Sequence, residues 1–123
     1  MAQGQLLSAA PVLISADFDA SAAFWAALGF AETARYDTRY LILRRDGVEL
    51  HFAPPEGGGR AAYVRVLNIA GVARAVRALN LAETGRPAHW PFQLRPWGMI
   101  EGVVIDPDDN MVTFAAADER TDP

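Results

Sequence analysis

The chain has no cysteine and only two histidines among its 123 residues. Without cysteine, disulfides and thiolate metal ligands are excluded, and nothing indicates the redox compartment. No apolar run approaches the roughly 18 to 20 residues that a membrane-spanning helix needs. The N-terminus also lacks the basic segment that precedes the apolar part of a signal peptide. We therefore expect a cytoplasmic protein.

A concentrated positive charge is also missing. All eleven basic residues are arginines scattered along the chain, and fifteen acidic residues leave a net charge of -4. This balance argues against a nucleic-acid partner. It is typical of an acidic surface that favours solubility, and it also suits a cationic or neutral small ligand.

What is present is an ordinary globular composition, 51% hydrophobic and 21% charged, arranged as a repeat. The chain is long enough to bury a core without metal or disulfide support. Residues 11–52 and residues 61–114 each follow the order strand, helix, further strands. Because several strands follow each helix, the predicted class is α+β. We predict one domain over residues 1–123, with βαβββ modules at 9–53 and 61–117 that form a curved mixed sheet, helices on its convex side, and a linker at 54–60.

Local signals predict where the elements begin and end. Asp19 or Ser21 is expected to cap the first helix, and an apolar stripe predicts the second helix over residues 69–80. Residues 84–97 are expected to form a long connection. The glycines at 57–59 are expected to form a flexible hinge between the modules.

Alternation along the strands predicts which side chains share a face. Val48, Leu50 and Phe52 should face the helices, while Glu49 and His51 lie on the other side. The mixed faces are either solvent-exposed surface or a ligand site, and the repeat favours a site because two such faces can enclose a cleft. Arg44 belongs to these faces. The predicted ligand-binding residues are Tyr40, Glu49, His51, Tyr63, Arg65, Trp90, Trp97, Glu101, Met111 and Thr113.

The charged members of this set have more than one interpretation. His51 is interpreted as a hydrogen-bonding lining residue, with packing and general-base catalysis as alternatives. Glu49 and Glu101 are able to bind a cation or to act as acid and base. We favour the interpretation that they pair with Arg44 or Arg65.

The aromatic residues of the connection also leave two interpretations open. Trp90, Phe92 and Trp97 crowd residues 84–97. They either cover a cleft and stack on a flat ligand or pack over a sheet edge or a dimer contact. Trp25, on the first helix, is assigned to the core or to a subunit interface.

Several motifs together resemble those of the bleomycin resistance proteins. The motifs are the helix end at residues 24–30, the hairpin at 45–52, Pro-Trp-Gly at 96–98 and Asp-Pro-Asp-Asp-Asn at 106–110. The resemblance extends over about residues 11–115. It places the chain in the vicinal oxygen chelate superfamily, with glyoxalase I and the extradiol dioxygenases. It implies paired βαβββ modules and a homodimer, often with exchanged elements, whose clefts lie between subunits.

The same resemblance implies a metal site that this chain does not reproduce. Superfamily enzymes hold a divalent metal on His, Glu or Gln side chains from equivalent strands, and such a site needs three or more converging ligands. Here the first strand has no histidine, the strand that opens the second half offers Ala62 or Tyr63, and the closing strand offers Thr113. Only His51 occupies a ligand position, and His89 lies in the connection. We therefore expect no metal and no cofactor.

These observations lead to a functional hypothesis with two alternatives. No arrangement for nucleophilic catalysis is present. We expect a metal-independent binding protein that sequesters a partly aromatic molecule, bleomycin-like or flat, in clefts at a dimer interface, as in antibiotic resistance. The alternatives are a metal-dependent lyase, isomerase or dioxygenase-like enzyme, and a dimerising scaffold without a ligand.

Overall fold

The computed structural model describes residues 3–118, which form two four-stranded sheets and two helices. The strand order is β1-β4-β3-β2 in the first sheet and β5-β8-β7-β6 in the second. In each sheet the first strand is parallel to its neighbour and the other pairs are antiparallel. This repeat confirms the predicted α+β class. The elements are β1 Val12–Ile14, α1 Phe18–Ala26, β2 Ala31–Tyr36, β3 Tyr40–Arg45, β4 Val48–Ala53, β5 Ala61–Arg65, α2 Ile69–Arg77, β6 Ala88–Leu94, β7 Met99–Ile105 and β8 Met111–Ala117.

One hydrophobic core joins both halves of the chain. Each sheet turns one face toward this core, together with apolar side chains from both helices, and Trp25 at its centre has no exposed surface. The alternation predicted for β4 is confirmed, because Leu50 and Phe52 are buried. The opposite face of each sheet therefore points away from the core. The buried core residues are Leu13, Phe18, Trp25, Leu28, Phe30, Leu41, Leu43, Leu50, Phe52, Val72, Val76, Val104, Val112 and Phe114.

The turn between β7 and β8 ties the two halves together through Asn110. This side chain is fully buried. Its Oδ1 accepts hydrogen bonds from the backbone N–H of Ile14 in β1 and of Arg60 just before β5, each at 3.1 Å. Its Nδ2 donates to the Ile14 carbonyl at 2.7 Å and to Asp106 at 2.9 Å. One amide thus satisfies backbone groups from both halves of the chain.

The aspartates of the same turn reach the first half by a second route. The Asp106 carboxylate accepts from the indole N–H of Trp25 in α1 at 3.2 Å. Asp108 accepts from the backbone N–H of Ala16 at 2.9 Å and from the Ser21 hydroxyl at 3.2 Å. Burial raises the pKa of Asp106, and the hydrogen bonds that it accepts from Asn110 and Trp25 act in the opposite direction. The Asp-Pro-Asp-Asp-Asn sequence of this turn is therefore a structural joint.

Three local predictions differ from the structure. Asp17, and neither Asp19 nor Ser21, caps α1, because its Oδ1 accepts from the N–H of Ala20 at 3.2 Å. The second helix ends at Arg77, three residues before the predicted end. The predicted long connection contains β6, whose alternation is interrupted by a bulge between Trp90 and Gln93.

The glycine-rich linker also differs in part from the expected hinge. A side chain at Gly59 would lie 2.0 Å from the backbone oxygen of Asp109. Glycine is required there because two backbone segments approach closely. At least this end of the linker is packed against the joint.

Candidate functional site

A first polar cluster lies on the outward face of the first sheet. The phenol oxygen of Tyr40 is 2.8 Å from Nδ1 of His51, and Nε2 of His51 is 2.8 Å from Oε1 of Glu49. The two rings meet edge to face, with centroids 5.4 Å apart. A carboxylate only accepts, so in the neutral imidazole Nε2 carries the hydrogen and Nδ1 accepts from Tyr40. The three side chains form one continuous chain of hydrogen bonds.

A second polar cluster lies on the outward face of the second sheet. Oε2 of Glu101, in β7, accepts from the Tyr63 hydroxyl at 2.5 Å and from the Trp97 indole N–H at 2.9 Å. Tyr63 belongs to β5, and Trp97 to the turn before β7. The hydrogen bond from Tyr63, followed by that from Trp97, lowers the pKa of Glu101. The same contact with Glu101 raises the pKa of Tyr63.

Strand register places the other predicted residues of this sheet beside the second cluster. Tyr63, Thr113, Val103 and Trp90 are successive cross-strand partners and therefore share the outward face. Thr113 is buried at the centre of this row, while Trp90 at its end is exposed. Val103 also packs with Ala88, Ile105 and Met111, which lie beside this row on the same face, in a small apolar cluster.

A cleft brings parts of the two clusters near one another. Strand β1 pairs only with the last three residues of β4, so the start of β4 has an open edge opposite β5. The space between them measures about 590 Å³, within the range of small-molecule sites. Glu49 lines one side of it, and Tyr63 and Arg65 line the other.

The predicted ion pairs of the two glutamates are absent from the described residues. Glu49 pairs with His51 instead of an arginine, and Glu101 binds the two aromatic side chains. Arg44 donates to the carbonyl of Asp46 at 3.0 Å. The prediction was wrong because His51 lies next to Glu49, and Tyr63 and Trp97 lie next to Glu101, so these side chains supply the hydrogen bonds.

Strand register also adds residues that the sequence analysis missed. Ile42 and Val12 are cross-strand partners of His51, and Tyr36 is the partner of Tyr40. Partners share a face, so all three belong to the outward face of the first sheet. The alternation of β3 alone was sufficient to find Ile42. The other two required the pairing register.

Neither a group of metal ligands nor a membrane-spanning helix is found among residues 3–118. Across residues 3–118, three or more His, Asp or Glu side chains are nowhere grouped so as to hold a metal ion. The single histidine in a ligand position, His51, has both ring nitrogens in hydrogen bonds. Over the same range, neither helix has the length and apolar character to cross a membrane.

Comparison with known proteins finds close relatives although no protein-family model matches. The chain is 31% identical over 111 residues to a bleomycin resistance protein of Klebsiella pneumoniae, covering 85% of this chain and 87% of that protein. It is similar to a bleomycin-binding protein complexed with bleomycin (TM-score 0.82, 29% identity, 90% of this chain, 98% of the other). It is also similar to the bleomycin-binding protein of Streptomyces verticillus complexed with copper(II)-bleomycin (TM-score 0.79, 28% identity, 94% and 99%).

Proposed function

Because the chain belongs to the bleomycin resistance protein family, we propose that it sequesters bleomycin or a similar, partly aromatic molecule without covalent chemistry. The ligand lies against the outward sheet faces, in a cleft completed by a second copy of the chain, and binding needs no metal or cofactor. The likeness to two proteins solved with bleomycin bound supports this proposal.

The observation that carries the proposal is the exposed and oriented indole of Trp97. Trp97 is 64% exposed, although its one polar atom is held by Glu101. Tyr63 is 53% exposed and is held by the same carboxylate. Large apolar rings gain free energy when they are covered. Rings that are fixed at the surface are suited to stack on a planar ligand.

The first sheet supports binding more than catalysis. General-base catalysis by His51 requires a ring nitrogen within reach of a substrate proton. Both nitrogens are already hydrogen-bonded, one to Tyr40 and the other to Glu49. Because neither ring nitrogen is free to take a substrate proton directly, we infer that His51 lines the site.

The exposed apolar side chains support a cleft that is shared between two copies of the chain. Both outward faces carry exposed apolar side chains within one chain, although Val103 and Thr113 at the centre of the second sheet's face are buried. A second copy that sets one outward face against the other would enclose the ligand and shield these side chains. The exposed side chains concerned are Val12, Tyr36, Tyr63, Trp90 and Trp97.

Calorimetric titration with metal-free bleomycin and with copper(II)-bleomycin tests the proposal. We expect saturable binding of at least one form. Trp97→Ala is expected to weaken it about tenfold by loss of stacking, and His51→Ala to weaken it by loss of the lining hydrogen bonds. Leu67→Ala is the matched control, because Leu67 is fully exposed and is not among the predicted ligand-binding residues.

Absence of saturable binding with both bleomycin forms would contradict sequestration. The melting temperature of each variant is measured in parallel. If Trp97→Ala and His51→Ala lower thermal stability as much as affinity, the two residues have a structural role and the site lies elsewhere.

A further inference from the structure

Glu101 uses only one of its two carboxylate oxygens within the protein. Tyr63 and Trp97 both donate to Oε2, and Oε1 has no hydrogen-bond partner among residues 3–118. Within the same residues, every buried side-chain nitrogen or oxygen has a partner. Oε1 is therefore in contact with solvent on the outward face, even though Glu101 as a whole is only 9% exposed.

The negative charge of Glu101 has no counter-ion in the described structure. None of the ion pairs formed by residues 3–118 includes it. Arg95 is close enough to help lower the pKa of Glu101, but it does not approach to ion-pair distance. Arg65 acts in the same indirect way on Tyr63. A carboxylate with little solvent around it and no ion-pair partner favours an incoming cation.

The side chains of Tyr63 and Trp97, on either side of Glu101, also favour a cationic ligand. The Tyr63 hydroxyl hydrogen and the Trp97 indole hydrogen are both used on Oε2. Among these three side chains, the polar atoms left for a ligand are therefore acceptors, namely the Tyr63 oxygen and Oε1 of Glu101. The faces of the two rings are negative as well, because the aromatic quadrupole places its negative lobe there.

We propose that Glu101, Tyr63 and Trp97 form a subsite for a planar cationic nitrogen group, such as an amidinium carried by an aromatic ligand. The cation donates to Oε1 while the flat part of the ligand lies along the indole. The inference rests on the proposed function, since it names the part of the ligand that the second sheet binds.

Benzamidine and benzamide test the subsite, because they have nearly the same shape and differ in charge. Binding is followed near neutral pH through the indole N–H signal of Trp97 in a proton–nitrogen correlation NMR spectrum. We expect benzamidine to bind about tenfold more tightly than benzamide, from the charge-assisted hydrogen bond and the cation–π contact. Glu101→Gln should make the two affinities equal, whereas Glu83→Gln, at an exposed carboxylate, should leave the preference unchanged.

A second variant separates charge from local structure. Tyr63→Phe retains the carboxylate but removes one of the two acceptor atoms, so it should weaken the binding of both probes while benzamidine remains the tighter of the two. Unchanged Trp25 and Trp90 indole signals show that each variant is folded. Equal binding of the two probes to the native chain, or a preference that survives in Glu101→Gln, would overturn the subsite.

Titration with bleomycin distinguishes failure of the subsite from failure of the proposed function. If bleomycin binds while benzamidine has no advantage over benzamide, the cation subsite alone is wrong. If the Glu101-dependent preference is present and bleomycin does not bind, sequestration of bleomycin alone is wrong.

Discussion

The hydrogen bond from Tyr63 to Glu101 affects the ionisation of Glu101 on the outward face of the second sheet. It lowers the pKa of Glu101 from its ordinary value of 4.5, with the indole N–H of Trp97 adding to the effect. A carboxyl group whose pKa is lower in the folded state stabilises the fold above its unfolded pKa. This contribution is lost as the pH falls through the folded pKa. The contact thus keeps Glu101 ionised to more acidic pH.

Tyr63→Phe removes a single hydroxyl group and tests whether that group lowers the pKa of Glu101. The hydrogen bond from Tyr63 is the largest cause of the lowered pKa of Glu101, so without it this pKa should rise toward its ordinary value. The stabilising contribution of Glu101 should then be smaller, and its loss should be complete at a higher pH than in the native chain. A carboxyl-carbon NMR titration measures the midpoint, with Tyr36→Phe as the control. An unchanged Glu101 midpoint in Tyr63→Phe would contradict the assignment.

At the scale of the β7–β8 turn, the prediction concerns the stability that Asn110 contributes. Asn110→Ala removes four hydrogen bonds and leaves the N–H and carbonyl of Ile14 and the N–H of Arg60 without their partner. Buried polar groups without partners are costly, so we expect the free energy of unfolding to fall by about 3 kcal/mol. Denaturant unfolding measures the change. Asp109→Asn, an exposed substitution that tolerates the positive φ at this position, should change it little.

Sequence patterns predicted the elements better than they predicted the contacts between them. The period-two alternation of β4 placed Glu49 and His51 on the outward face, because neighbouring strand residues point to opposite sides. The partners of these residues depend on strand register, which the sequence pattern does not contain. Strand β6 was missed because its bulge breaks the alternation and Pro91 lies within it. The hydrogen bond from Trp97 to Glu101 was also missed, because the sequence pattern does not show how the turn before β7 is folded.

The whole molecule leads to a prediction about assembly. If the cleft is completed by a second copy, sedimentation should give twice the chain mass of 13.3 kDa. Calorimetry should then give one ligand per chain. Dilution below the dissociation constant of the dimer should weaken ligand binding, because each ligand touches both copies. A monomer that binds bleomycin with undiminished affinity at every concentration would contradict this assembly.

The separation of the shared core from the outward sheet faces has a consequence for how such proteins diversify. Glu101, Tyr40 and His51 lie outside the core that joins the two halves. Substitutions at these positions should therefore leave no cavity in the shared core, and core cavities are one of the main sources of large stability losses. If these residues bind the ligand, as proposed, the choice of ligand can change while the core stays intact.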